Sequence, residues 1–227
     1  MTELQKKVNK SIERLKAFEP PEGYYLAFSG GKDSVVCKAL LDMSGCKYDA
    51  TYRVTSVDPP ELVRFIKDVH PDVKREVPRY ADGKPITMWN LIPKKRYPPT
   101  RVARYCCQFL KEDGGDGRIV ITGVRWAESK NRQKNQGIVT VMGQKHDESI
   151  LNSKDFKKTQ KGGMVLVNDN EESRRLIEQC YKRNKTTVNP IIEWSDREVW
   201  DFINSEKYRT AIYTMKDSQG LVVLVAH

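Results

Sequence analysis

The tract from Tyr24 to Met43 constrains this chain most. Tyr24–Phe28 is a short apolar and aromatic run, Ser29-Gly30-Gly31-Lys32-Asp33-Ser34 interrupts it, and Val35–Met43 resumes with apolar residues at helical spacing. A buried strand, a glycine turn and a helix in immediate succession form one βα unit of a parallel sheet. Backbone N–H groups of such a turn can approach an anion, and the helix N-terminus adds a favourable dipole, so phosphate binding is its natural chemistry. Lys32 supplies a positive charge, and Asp33 could help hold Mg²⁺ or position the loop. The loop is not of the Walker type: Leu26 stands five residues before Gly31, and Asp33 rather than Ser or Thr follows Lys32. Two adjacent glycines alone fit a plain tight turn with a solvated Lys-Asp pair better.

A second unit follows. Tyr48–Val54 reads as a strand, and Asp58-Pro59-Pro60-Glu61 as a helix start, with Asp58 as N-cap and Leu62, Phe65, Ile66 and Val69 facing inward. Arg118–Val124, after a glycine-rich turn, is a third strand candidate, and Met164–Val167 a short one. Leu4–Phe18 places Leu4, Val8, Ile12 and Leu15 on one face of an amphipathic helix. Glu171–Arg183 looks helical, and Ser195 with Glu198 forms a capping box ahead of Val199, Trp200, Phe202 and Ile203. Residues 126–162 are polar and weakly patterned and read as a loop or insertion near the site. Strands alternating with helices predict an α/β fold with a doubly wound, mostly parallel sheet and helices on both faces. The expected organisation is an N-terminal helix and linker over 1–22, a nucleotide-binding domain over 23–205 and a tail over 206–227.

Charge and cysteine usage narrow the class. Forty Lys and Arg against thirty Asp and Glu leave a net charge of +10, which suits phosphate-rich partners. The excess is local: 74–111 holds ten basic residues against two acidic ones, and 129–161 adds a further excess of five. No run approaches the roughly 20 apolar residues of a spanning helix, and no signal-peptide core is present, so a membrane role is not expected. The five cysteines, at 37, 46, 106, 107 and 180, are odd in number with two adjacent, which points to a reducing, cytoplasmic compartment rather than a disulfide framework. His70, His146 and His227 have no zinc-like spacing with these cysteines and read as surface or packing residues.

The hexad SGGKDS at 29–34 resembles the PP-loop of adenine nucleotide α-hydrolase-like proteins. With TSVDPPELVRFI at 55–66, RYCCQFLKE at 104–112, ITGVRWAESKNR at 121–132 and NPIIEWSDREVWDFI at 189–203, the chain resembles the phosphoadenosine phosphosulfate (PAPS) reductase family. The resemblance implies a nucleotide site at the carboxyl ends of the parallel strands, where open α/β sheets bind ligands. It implies that Ser29, Gly30, Gly31, Lys32, Asp33 and Ser34 cradle phosphates or sulfate. A Thr-Gly-x-Arg turn falls on Thr122, Gly123 and Arg125, followed by Ser129 and Arg132, and the two arginines would clamp anionic oxygens. Lys32, Asp33 and Arg125 are then the catalytic candidates. Asp58 fits a nucleotide contact or a plain N-cap, and Trp194 and Trp200 fit core packing better than base stacking.

In iron-sulfur members of this family a Cys-Cys pair like Cys106-Cys107 joins a later Cys-x-x-Cys to hold a [4Fe–4S] cluster. Here only Cys180 follows, so the expectation is an apo site with two of four ligands. Shifting the reading frame from Tyr208 onward permits a back-translation containing Cys-x-x-Cys-Pro, so 206–227 is expected to be an aberrant, frameshifted tail of a longer parent. Three functional readings follow. The first is an ATP-using enzyme that attacks the α-phosphate and serves sulfur transfer or sulfur metabolism, with Mg²⁺ and with a nucleic acid or a sulfur-donor protein as partner. The second is a thiol-dependent PAPS or APS reductase giving sulfite, whose Glu-Cys-Gly signature is missing. The third is an inactive nucleotide- or nucleic-acid-binding module.

Overall fold

A computed structural model describes residues 1–100, 103–112, 114–141, 154–159, 163–167 and 186–208. Thr2 caps α1 (Glu3–Ala17), accepting from the Gln5 amide at 3.2 Å, and Val8, Ser11, Arg14 and Leu15 form its buried face. The chain then runs through β1 (Tyr24–Ala27), α2 (Lys32–Ser44), β2 (Tyr48–Arg53), α3 (Pro60–Val69) and β3 (Lys74–Glu76). Next come α4 (Met88–Lys95), α5 (Tyr105–Cys107) with a π-helical turn at Gln108–Glu112, β4 (Ile119–Ile121), a 3₁₀ turn at Trp126–Glu128 and α6 (Lys130–Asn135). Strands β5 (Val139–Val141), β6 (Phe156–Lys158), β7 (Met164–Leu166) and β8 (Thr186–Val188) follow, and α7 (Asp196–Asn204) comes after them.

The strands form one sheet in the order β3-β2-β1-β4-β8-β5-β7-β6. The first five are mutually parallel; β5, β7 and β6 add on antiparallel. Alternation along the strands divides the faces. Tyr24 and Leu26, Ala50 and Tyr52, and Ile119 and Ile121 enter the main core with Leu15, Val36, Leu40, Ile66 and Phe202. Tyr25 and Val120 point the other way, where the turn at Gly114 and Gly115 packs on the Tyr25 ring. Val36 and Leu40 of α2 and Ile66 of α3 join the core on the first face, while α4 and α5 gather a separate cluster of Ile86, Leu91, Tyr105 and Leu110. This is the expected α/β, mostly parallel sheet with helices.

The apolar periodicity located the larger elements, and three readings require correction. Residues 126–162 are not a plain loop: they contain α6, β5 and β6, and Val139 and Val141 are fully buried against β7 and β8. Three-residue strands flanked by polar chain are too short to show a period. Asp58 is not the N-cap of α3, a position held by Pro59; its carboxylate instead accepts from the Tyr52 hydroxyl and, at 3.4 Å, from the Thr55 amide. The third strand is shorter than Arg118–Val124, because Thr122–Val124 leaves the sheet as a site loop. His70 packs edge-on to Phe28 and Phe65, and burial pushes its imidazole down to about 4. Within 206–227, Tyr208 is buried and stacks on Phe202. The helix expected at 171–183, Cys180, His146, His227 and residues 209–227 lie outside the described residues. Among the described residues no helix is long and apolar enough to cross a membrane.

Candidate functional site

The carboxyl end of β1 delivers the chain into the glycine loop. Gly30 takes φ +73°, and a Cβ there would stand 2.6 Å from Leu62 Cδ1 and 3.0 Å from Ile66, so both backbone and packing require glycine. Gly31 is the N-cap of α2 and supplies no side chain to the first-turn amides, which leaves them directed at the loop mouth. The serines brace the turn from within. Ser34 Oγ donates to the Gly31 carbonyl at 2.8 Å and lies 3.2 Å from Ser29 Oγ, while the Gly31 amide reaches Ser29 Oγ at 3.4 Å.

The loop after β4 closes on this turn. A Cβ on Gly123 would lie 2.8 Å from Asp33 Cβ and 3.0 Å from its carbonyl carbon, so only glycine lets the two loops meet. Thr122 donates its hydroxyl to Asn189 Oδ1, and the fully buried Asn189 donates Nδ2 to the Gly137 carbonyl at 2.7 Å. The ends of β4 and β8 and the approach to β5 are thereby fixed together. Arg125, only 3% exposed, donates Nε to Asp33 at 2.8 Å and Nη2 to Asp196 at 2.9 Å, and its Nη1 faces the Trp194 carbonyl at 3.4 Å. The guanidinium therefore ties α2, the β4 loop and α7 to one another through protein partners.

Lys32 is the more accessible cation. Its ammonium sits 2.9 Å from Asp196 Oδ1 and 5.7 Å from the centre of the Trp200 ring, two groups spaced one turn apart on α7. Hydrogen bonds from Lys32 first and Arg125 second hold the Asp196 carboxyl below the usual carboxylate range. Ser29–Ser34, Thr122, Gly123 and Arg125 are thus brought together. Ser129 caps α6, accepting from the Arg132 amide at 3.2 Å, and Arg132 pairs with Glu128, whose carboxylate also accepts from the Arg125 amide. Those two residues form a neighbouring turn linked to the site through Arg125. Sequence reasoning missed Asp196 and Asn189. Both lie in the tract NPIIEWSDREVW, where Asp196 reads simply as an acid in the first turn of a helix.

Helix α1 holds that tract in place. Ser11 Oγ donates to the Pro190 carbonyl at 2.9 Å and accepts from Trp194 Nε1 at 3.2 Å. Arg14 and Lys10 meet Glu193 at 3.0 and 3.2 Å, and Lys7 meets Glu198 at 2.7 Å. Burial alone would raise the Glu193 carboxyl, but Arg14 and Lys10 hold it below its ordinary value. Trp194 is buried in the core and Trp200 packs at its edge, as core packing predicts.

A family model described as the phosphoadenosine phosphosulfate reductase domain matches residues 23–212. The chain belongs to that family. Its match begins just before β1 and covers the glycine loop, the Thr122–Arg125 turn and α7; α1 lies outside it. A search of curated proteins returns no match. The solved structure of NMN synthetase from Francisella tularensis matches at 15% identity, covering 92% of this chain and 89% of that one, with a TM-score of 0.33, too low to support an argument.

The groups implied by the resemblance fare differently against these residues. Cys106 and Cys107 are half-buried on α5, beside the small cluster Ile86, Leu91, Tyr105 and Leu110. Among the described residues no group of three or more His, Cys, Asp or Glu could hold a metal; Cys106 and Cys107 supply two thiols where a [4Fe–4S] cluster takes four ligands, and Cys180 lies outside the described residues. Mg²⁺ bound with a nucleotide takes most of its ligands from phosphate and water. The carboxylates beside the loop, Asp33 and Asp196, are engaged by Arg125 and Lys32.

Proposed function

We propose that this chain binds an adenine nucleotide, ATP in preference to PAPS, at the Ser29–Ser34 loop and acts at its α-phosphate in sulfur-transfer chemistry. The observation that carries the reading is the convergence of the bare N-terminus of α2 with Lys32 and the Gly123 turn at the carboxyl ends of β1 and β4. Amides and ammonium together offer a short anion several donors in a rigid frame, which stabilises charge building on phosphate oxygens without reorganisation. Lys32 exchanges Asp196 for a phosphate oxygen when the ligand arrives. Arg125 acts as a positioning residue that holds Asp33 and Asp196, and Ser129 and Arg132 line the approach. On this reading a nucleophile displaces pyrophosphate from the α-phosphate and leaves an adenylated acceptor.

The burial of Cys37 favours ATP over the reductase reading. A reductase needs an accessible thiolate. Cys37, the thiol nearest in sequence to the loop, is fully buried in α2, and burial and then Asp33 push it far above its ordinary range. Burial, and then the neighbouring Cys107, also push Cys106 up. Equilibrium titration with Mg-ATP and with PAPS, each against Lys32→Ala, tests the proposal. The expected result is tighter binding of ATP and a loss of at least tenfold in the variant, since a charge-assisted contact contributes about 1.5–3 kcal/mol. Tighter binding of PAPS would return the reductase reading, and binding indifferent to Lys32 would remove the site.

A further inference from the structure

The connection from β3 to β4 builds a surface that the nucleotide site does not use. It folds around its own cluster of Ile86, Leu91, Tyr105 and Leu110, apart from the main core. Its outside is cationic: 74–111 holds ten basic residues against two acidic ones. Both acids are already partnered, Glu76 with Arg53 at 4.0 Å and Asp82 with Lys84 at 3.4 Å. Lys74, Arg75, Arg79, Lys94 and Arg96 are exposed and make no ion pair among the described residues. Arg75 and Arg79 line one open groove together with Glu76, and Tyr80, Lys84, Asn90 and Lys94 line a second together with Asp82.

Aromatic rings interleave with these charges. Lys94 sits 4.0 Å above the Tyr80 ring and Lys95 4.9 Å above Phe109. Trp89, in the first turn of α4, is 73% exposed, and Tyr97 is 47% exposed. Trp89 belongs to neither hydrophobic cluster, so its ring contributes little to folding by burial. Two copies of this face would repel each other, which disfavours self-association. A polyanion carrying flat apolar rings matches both features.

We propose that this surface binds single-stranded nucleic acid, with phosphates along Arg75, Arg79, Lys94 and Arg96 and a base stacked on Trp89. Single strands fit better than duplex because only unstacked bases offer their faces to an exposed ring. The surface is tied to the loop after β2, where the Met88 amide of α4 donates to Ser56 Oγ at 3.0 Å, and that loop leads into α3, whose Leu62 and Ile66 pack against Gly30. If the nucleotide chemistry proposed above holds, the strand is the acceptor class. That acceptor role depends on the proposed nucleotide chemistry; the binding itself does not.

The test is fluorescence anisotropy of the full chain with labelled single-stranded DNA and RNA of about 20 nucleotides, without ATP, so that failure of the nucleotide reading leaves it intact. Four to five phosphate contacts predict a log–log salt slope of about −3, a weakening of roughly 60-fold between about 50 and 200 mM salt. Trp89→Ala is expected to weaken binding by about 10- to 100-fold through lost stacking. Its melting temperature stays unchanged, because the ring is exposed. The double variant Arg79→Glu/Lys94→Glu flattens the slope by about 1.4. Tight binding of either strand with these losses supports the proposal. Binding of heparin or duplex DNA as tight as that of the strands, an unaffected Trp89→Ala variant, or no binding at low salt overturns it.

Discussion

Replacing Gly123 by alanine places a methyl group where the β4 loop meets α2. The new Cβ would stand 2.8 Å from Asp33 Cβ, 3.0 Å from its carbonyl carbon and 3.1 Å from its carbonyl oxygen. Carbon atoms pack best at about 3.5–4.0 Å, so a gap of roughly 0.7 Å must open against backbone rather than against a side-chain tip. Such overpacking costs about 1–3 kcal/mol. For a chain of this size each kcal/mol lowers the melting temperature by about 2–4 °C. What gives way is the first turn of α2, which carries Lys32 and its amides, so nucleotide affinity falls together with stability. Gly45→Ala is the control. Gly45 has φ +72° with nothing within 4 Å, so its replacement costs about 1–2 kcal/mol of backbone strain and leaves the loop alone. Urea unfolding and ATP titration of both variants read the two effects. Equal affinity in the two variants, or a Gly123→Ala protein as stable as the parent, would refute the close approach and with it the rigid frame.

Three further outcomes follow from the same geometry. Glu193 is held below its ordinary 4.5, so its stabilisation is complete above that value and is lost as pH falls through the lowered one. Glu193→Gln is therefore expected to be less stable than the parent at neutral pH and to lose less on acidification; parallel urea midpoints down to about pH 3 would contradict this. Thr122→Val leaves the buried Asn189 Oδ1 without its donor and should cost about 1–3 kcal/mol in thermal unfolding, with Thr122→Ser restoring most of it. A short iodoacetamide pulse read by mass spectrometry should modify the half-buried Cys106 and Cys107 before the buried Cys37 and Cys46, and equal labelling would be the contrary result.

The long-period features were legible in the sequence. Alternating strand and helix units with a glycine punctuator specified β1, α2, β2 and α3, and the Ser195–Glu198 capping box located α7 to the residue. The glycine loop was legible because adjacent glycines between an apolar run and a helix, followed by Lys32 and Asp33, are unusual residue types at fixed spacing. The short strands β3, β5, β6 and β8 were not: the equally short β4 and β7 stand out as continuous apolar runs, whereas these four carry charged or threonine residues and those that are buried owe it to neighbours remote in sequence. The same holds for Asp196 and Asn189. Asp196 acts on Lys32 and Arg125, and Asn189 on Thr122 and Gly137, across tertiary contacts that local pattern does not encode. The clasp of Ser11, Lys7, Lys10 and Arg14 on the tract from Pro190 to Glu198 was invisible for that reason too. Amphipathic spacing predicted that α1 covers the core; it did not predict what its polar edge holds.

On the proposed reading a nucleotide seats on Ser29–Ser34. Hydrogen exchange read by mass spectrometry, with and without Mg-ATP, tests it most directly, because bound phosphates protect the amides that they engage. Slowed exchange is expected in peptides spanning residues 29–36 and 121–126, absent in Lys32→Ala. Protection confined to other peptides, or identical protection in Lys32→Ala, would contradict it.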